Sequence, residues 1–85
     1  MTQDEILRHV VQALSAVAPE VDFSKIRPNL PIRDQVDIDS YDFLNIIVAL
    51  HDRLAIDIPE SDYQQLATLD STVSYLTRRL TSPTQ

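Results

Sequence analysis

Apolar residues near the amino terminus recur with the spacing of a helix that buries one side. They lie three or four positions apart, and they are Ile6, Leu7, Val10, Val11, Leu14 and Val17. Thr2 and Glu5 have the types and spacing of a capping box, in which each side chain accepts a hydrogen bond from an unpaired backbone N–H group. The pattern predicts an amphipathic helix over Thr2–Val17 whose core-facing side is formed by these apolar residues.

A second helical pattern covers Ser40–Leu54 and has two apolar strips. Asp39, which precedes it, is a residue type that favours the N-cap position. The larger strip predicts the core-facing side and consists of Phe43, Ile46, Ile47, Leu50 and Leu54. The smaller strip consists of Tyr41, Leu44 and Val48, which share another side of the helix because they lie at i, i+3 and i+7. An apolar strip that faces away from the core is either a second packing surface or a binding surface.

The segment between these helices, residues 18–39, is predicted to lack a long helix. Pro19, Pro28 and Pro31 interrupt it, and proline removes a backbone donor and disfavours helix at the preceding residue. Only Asp22–Ile26 fits a single helical turn. Loops this long are uncommon unless they are functional or packed by their own side chains. We therefore expect four apolar residues to anchor the loop, namely Val21, Phe23, Ile26 and Leu30.

The rest of the pattern predicts two further helices and a tail. Pro59 and Glu60 suit the first turn of a short helix over Pro59–Leu66. A longer helix is predicted over Thr68–Leu80, and its apolar ridge consists of Leu69, Val73, Leu76 and Leu80. The predicted fold class is all-α, a small four-helix bundle of three main helices and one short helix. It forms one domain over residues 1–80, followed by a disordered tail over residues 81–85.

Length and composition restrict the classes of protein to which the chain can belong. Its 85 residues allow one domain with one core. It has no cysteine, which excludes disulfides and thiolate metal sites. The longest apolar run, Ile46–Leu50, is far shorter than the ~20 residues of a membrane span. Because no basic region precedes an apolar stretch at the amino terminus, no secretory signal is evident. We expect a cytoplasmic monomer without a membrane span.

Negative charge is concentrated in the middle of the chain. Thirteen acidic and seven basic residues give a net charge of −6. Residues 33–62 contain eight acids and two bases, so this segment carries the whole net charge. Such a field repels nucleic acid and anionic lipid and attracts basic protein surfaces. It also favours solubility.

No arrangement of residues indicates catalysis or metal binding by the chain itself. His9 and His51 belong to separate helices and have no serine or cysteine constellation beside them, so we expect both to be exposed to solvent. The chain has no glycine, and hence no phosphate-binding glycine loop. Asp34, Asp37 and Asp39 are candidates for a divalent cation, but they lack the glycine and the distal glutamate of a calcium loop. We therefore expect no metal site.

The segment that leads into the second helix carries a specific motif. It reads VDIDSYDFLNIIVAL over residues 36–50, with Asp39 and Ser40 at the helix start, and LAIDIPE follows over residues 54–60. Together with the long first loop and the order of the helices, these segments make the chain resemble acyl and peptidyl carrier proteins. The resemblance extends over residues 6–80.

The resemblance implies that Ser40 carries a covalent 4'-phosphopantetheine, added from coenzyme A by a phosphopantetheinyl transferase. The thiol of that arm would hold acyl groups as thioesters, with Asp39 as the N-cap that orients Ser40, and the domain itself would not be an enzyme. Acyl-loading and acyl-processing enzymes are the implied partners. Their expected contacts on the second helix are Tyr41, Asp42, Leu44, Asn45, Val48 and Asp52.

Several positions depart from the family pattern. Tyr41 replaces the usual leucine, Asp37 stands where glycine is common, and Asn45 and His51 occupy positions that are usually acidic in fatty-acid carriers. These departures favour a specialised carrier of polyketide, unusual acyl or aminoacyl groups over a housekeeping fatty-acid carrier. Because the chain begins with Met1 and has no linker-like extension, a free-standing carrier is expected. The alternative is an unmodified acidic adaptor that docks partners through the same helix.

Overall fold

All regular elements of the computed structural model, which describes residues 1–81, are helical. The α-helices are α1 (Gln3–Val17), α2 (Ile32–Gln35), α3 (Ser40–Leu54) and α4 (Leu69–Thr81), and two 3-10 helices cover Phe23–Lys25 and Glu60–Leu66. The described residues form no strand, and the one β-bridge pairs Pro31 with Thr68. The all-α bundle is thus confirmed. Of the predicted tail, residues 81–85, only Thr81 belongs to the described part, as the last residue of α4.

The start of α1 is closed by the predicted capping box. The Thr2 hydroxyl accepts a hydrogen bond from the Glu5 N–H at 3.1 Å, and the Glu5 carboxylate accepts one from the Thr2 N–H at 2.7 Å. These hydrogen bonds to Thr2 lower the pKa of Glu5 below its ordinary value of 4.5. The predicted capping box is therefore confirmed, and the helix begins at Gln3, one residue after the predicted start.

The core forms where α1 packs against α3 and α4. Its most deeply buried side chains are Ile6, Val10, Leu50 and Leu76. The prediction for Leu7 was wrong, because this side chain remains 37% exposed. Ala13 takes a place on the buried side of α1 instead. No helix within residues 1–81 has the length and apolarity that a membrane span requires.

Three of the four predicted residues anchor the long first loop, since Phe23 is in the core and Val21 and Ile26 pack partly buried against it. Phe23 is buried as predicted, but Leu30 is 39% exposed. Ile32 in α2 and Ile38 just before α3 are buried instead, at 5% and 7% exposure. The unpredicted α2 has four residues, which is too few to show a helical period, and it turns Ile32 inward.

Backbone and amide hydrogen bonds complete the loop. The Gln35 side chain accepts from the Arg27 N–H at 2.7 Å, and its Nε2 lies 2.9, 3.1 and 3.4 Å from the carbonyl oxygens of Arg27, Leu30 and Pro31. The Ile32 N–H donates to the Ala67 carbonyl at 2.8 Å. The loop is thereby fixed both to itself and to the segment before α4.

The predicted third helix over Pro59–Leu66 is present as a 3-10 helix over Glu60–Leu66, with Pro59 at its N-cap. Tyr63 packs edge-on against Phe43 of α3, with ring centroids 5.5 Å apart. From the other side, the Tyr75 hydroxyl of α4 donates to Asp62 at 2.6 Å. This short helix is therefore held against both α3 and α4.

Candidate functional site

The start of α3 is a second capping box. Asp39 has extended backbone geometry, and its Oδ1 accepts a hydrogen bond from the Asp42 N–H at 2.9 Å. The hydrogen bonding is reciprocal, because Asp42 Oδ2 accepts a hydrogen bond from the Asp39 N–H at 3.4 Å. Ile38, the residue before Asp39, is buried in the core. The direction in which α3 leaves the loop is thus fixed on both sides of Asp39.

Ser40 is the first residue of α3 and is exposed. Its hydroxyl makes no hydrogen bond to any residue of the described part of the chain, and neither do the backbone N–H groups of Ser40 and Tyr41. Unpaired N–H groups and the positive end of the helix dipole favour an anion at this position. The site therefore offers an accessible hydroxyl beside unpaired N–H groups that favour an anion such as a phosphodiester.

An exposed apolar strip runs along α3 from the residue after Ser40. Tyr41, Leu44 and Val48 are 73%, 48% and 57% exposed. The structure thus leaves the predicted second strip uncovered by the bundle. Asn45 and Asp52 are exposed on the same helix, whereas half-buried Asp42 is engaged in the capping box. Asp42, predicted as a partner contact, therefore also has a structural role.

A loop held by the side chains of His51 and Arg79 follows the carboxyl end of α3. The His51 Nδ1–H donates to the Ile56 carbonyl at 3.0 Å, and Nδ1 lies 3.2 Å from the Asp57 carboxylate. Arg79 of α4 donates to the Asp57 carbonyl at 2.8 Å. Neither contact matches a helical spacing, because His51 and Ile56 lie five residues apart and Arg79 and Asp57 lie 22 apart. The backbone of Ala55 is left-handed at this turn, with φ 54°.

His9 differs from the exposure expected for it. The residue is half-buried, and its Nδ1 is buried without a hydrogen-bond partner. His51 is 52% exposed in its side chain, in agreement with the expectation. The two rings belong to α1 and α3, and no group of three metal-ligating residues occurs within residues 1–81.

A small apolar cavity lies between α1, α2 and α3. Its volume is about 40 Å³, which corresponds to a few water-sized spaces. It is lined mainly by buried apolar side chains, among them Val10, Leu14, Ile32, Ile38, Phe43 and Ile46. Tyr41 does not line it, because its ring faces solvent. The cavity is thus bounded near the start of α3 by Ile38 and Phe43.

Comparison with known proteins agrees with this geometry. A family model described as "Phosphopantetheine attachment site" matches residues 5–76. The acyl carrier protein of Lactobacillus johnsonii is 30% identical over 76 residues, which are 89% of this chain and 94% of that protein. The acyl carrier protein of Rubrobacter xylanophilus is 27% identical over 82 residues, 96% of this chain and all of that protein.

A third relative is the meromycolate extension acyl carrier protein of Mycobacterium tuberculosis. It is 30% identical over 76 residues, which are 89% of this chain and 65% of that protein. No solved structure matches the chain with significance. The similarity is therefore one of sequence, and it extends over most of the bundle.

Proposed function

The chain belongs to the family of phosphopantetheine-dependent acyl carrier proteins, and on that premise we propose that Ser40 is the residue to which the arm is attached. Members of the family are carriers and not enzymes, and 4'-phosphopantetheine is their cofactor. The observation that carries the proposal is the exposed, unbonded hydroxyl of Ser40 at the capped start of α3.

Attachment requires the Ser40 hydroxyl to act as a nucleophile toward phosphorus. Its Oγ forms a new bond to the phosphate next to the pantetheine of coenzyme A, the bond to the nucleotide phosphate breaks, and a base of the transferase accepts the Ser40 proton. Asp39 keeps the backbone fixed while the hydroxyl faces outward. The unpaired N–H groups at the helix start stabilise the resulting negative charge. The thiol of the arm, when present, supplies the thioester linkage to the cargo.

Partner enzymes are proposed to dock along α3. The strip formed by Tyr41, Leu44 and Val48 supplies apolar contact, and Asp52 and Asn45 supply polar contact beside it. Basic partner surfaces are favoured because residues 33–62 hold the net charge of the chain. The transferase and the enzymes that load and process acyl groups would share this surface in turn.

The cargo is proposed to be short or polar. Support comes from the interior cavity, whose volume of about 40 Å³ is bounded by well-packed side chains. Phe43 lines this cavity, whereas Tyr41 does not line it and is 73% exposed. A specialised carrier for polyketide, unusual acyl or aminoacyl groups is consistent with such a cavity.

Intact-mass measurement tests the attachment site. Incubation with coenzyme A and a promiscuous transferase should add the mass of one arm to the wild-type chain. Ser40→Ala should abolish this gain and leave the fold intact. Ser61→Ala is the matched control, because Ser61 is also exposed and lies between two acids near a helix start. Retention of the added mass by Ser40→Ala would refute the assignment. Absence of any gain in the wild type would favour the unmodified adaptor.

A further inference from the structure

An apolar groove lies between α1, the first loop and α4, away from the strip on α3. Its volume is about 720 Å³, within the range of about 300–1,000 Å³ that is common for ligand pockets. Its apolar lining consists of Leu7, Val11, Phe23, Ile26, Pro28, Leu69 and Val73. No residue of α3 lines it.

The groove exists because the bundle does not cover the whole apolar side of α1. Leu7 is 37% exposed, although its position in the sequence places it with the core-facing residues. Val11 and Val73 are only half-buried. The apolar area of α1 thus exceeds what α3 and α4 can bury, and the excess faces the groove.

Two carboxylates border this apolar surface. Asp4 and Asp70 line the groove, are exposed, and belong to the first turns of α1 and α4. Neither has a salt-bridge partner within residues 1–81. No lysine, arginine or histidine lines the groove. An occupant with positive charge beside its apolar side chains would therefore complement both features.

We propose that this groove is a second docking surface, and that it binds a basic amphipathic helix of a partner protein. The apolar side of such a helix would contact Leu7, Val11 and Val73, with lysine or arginine near Asp4 and Asp70. Because α3 takes no part in the groove, the occupant leaves Ser40 and the apolar strip accessible. A protein bound here would raise the effective concentration of the carrier near an enzyme that acts on the arm.

A titration of the full chain tests the proposal. The probe is a synthetic amphipathic helix of leucine and lysine, and the readout is amide chemical shifts of the ¹⁵N-labelled protein. Saturable shifts are expected at Leu7, Val11, Ile26 and Val73. Leu7→Ser should weaken binding at these amides about tenfold, equivalent to about 1.4 kcal/mol.

Matched variants separate this site from α3. Leu44→Ser removes a leucine of α3 that is 48% exposed, compared with 37% for Leu7, and should leave the groove shifts unchanged. Asp4→Asn combined with Asp70→Asn should weaken binding and reduce its salt dependence, whereas Asp34→Asn should do neither. The unbound spectrum of Leu7→Ser verifies that the variant is folded. Transfer of the arm to Ser40 should proceed unchanged with the peptide bound. This transfer assay tests the assignment of Ser40 separately from the proposal for the groove.

A different occupant of the groove, or a different binding site for the peptide, would give different results. Shifts confined to α3 and lost in Leu44→Ser would overturn the proposal. Self-association of the wild type that Leu7→Ser abolishes would identify a second copy as the occupant and would equally overturn it. The same holds if an uncharged apolar dye fills the groove while the peptide does not bind. None of these results would alter the assignment of Ser40.

Discussion

The Tyr75 hydroxyl of α4 donates a hydrogen bond of 2.6 Å to the Asp62 carboxylate of the second 3-10 helix. Tyr75 is only 3% exposed. Burial, reinforced by this hydrogen bond, raises its pKa above the ordinary value of 10.0. The folded state therefore holds the proton more tightly than the unfolded state. The resulting stabilisation is complete below the unfolded pKa and is lost as the pH rises through the folded pKa.

Tyr75→Phe is expected to lower the free energy of unfolding by about 2 kcal/mol at neutral pH, since it removes the hydrogen bonds of the hydroxyl to two charged groups, Asp62 and Arg79. It should also lessen the loss of stability in alkaline solution. Urea unfolding at neutral and strongly alkaline pH measures both effects. Tyr41→Phe serves as control because Tyr41 is 73% exposed, and it should change neither. If the stability of Tyr75→Phe fell as steeply at alkaline pH as that of the wild type, Tyr75 would not be the group whose ionisation causes the loss.

Ala55→Gly is expected to stabilise the protein by about 1 kcal/mol, because a side chain with Cβ is strained in the left-handed region that Ala55 occupies. Glycine is the usual residue at such a helix end, and the chain has none. Thermal unfolding measures the gain. Ala16→Gly, on the exposed side of α1, is the matched control and should lose up to about 1 kcal/mol. A loss in both variants would show that the turn at Ala55 is not strained.

Docking to partner enzymes is expected to weaken with salt, because it pairs exposed acids of α3 with basic partner residues. Asp52→Asn should raise the dissociation constant for the transferase and reduce its salt dependence. Asp42→Asn should in addition lower helix stability, since Asp42 belongs to the capping box. Asp22→Asn, distant in sequence from α3, is the control for net charge. An affinity that is the same at low and high salt would rule out electrostatic docking.

Acyl chains of increasing length on the arm are expected to give no steady rise in melting temperature. The interior cavity of about 40 Å³ has little room for a chain unless the core opens. Melting curves of the arm loaded with short and long acyl groups measure this. Phe43→Ala should enlarge the cavity and introduce the length dependence, whereas Tyr41→Ala should not. A rise in the wild type would mean that long chains enter the bundle.

The sequence specified those parts of the fold that depend on local chemistry. The N-caps Thr2 and Asp39, and the exposed strip on α3, follow from residue type and spacing alone, and the structure confirms them. Leu7 and Leu30 were assigned wrongly to the packed interior. Periodicity reveals which side of a helix is apolar, but it does not show how much of that side the neighbouring elements can cover.

Contacts between different helices and loops could not be predicted, because a periodic pattern within one element does not show which residues of another element it meets. The clamp of His51 and Arg79 on the Asp57 loop joins groups on α3 and α4 that no short-range pattern connects. Ser40 was found by its resemblance to a family motif and not by geometry. The structure adds that its hydroxyl is exposed and that its helix start is fixed on both sides.

The Gln35 amide contacts three carbonyl groups and one N–H group within the preceding loop. Backbone groups of Arg27, Leu30 and Pro31 thus depend on one side chain for hydrogen bonds, and loss of its position would release them together. Residues 27–35 should therefore open together, with a common rate of amide hydrogen exchange, in the manner of a single cooperative unit. This unit ends shortly before Ser40, so the position of the proposed attachment residue is steadied by a segment whose regular structure is the four-residue helix α2.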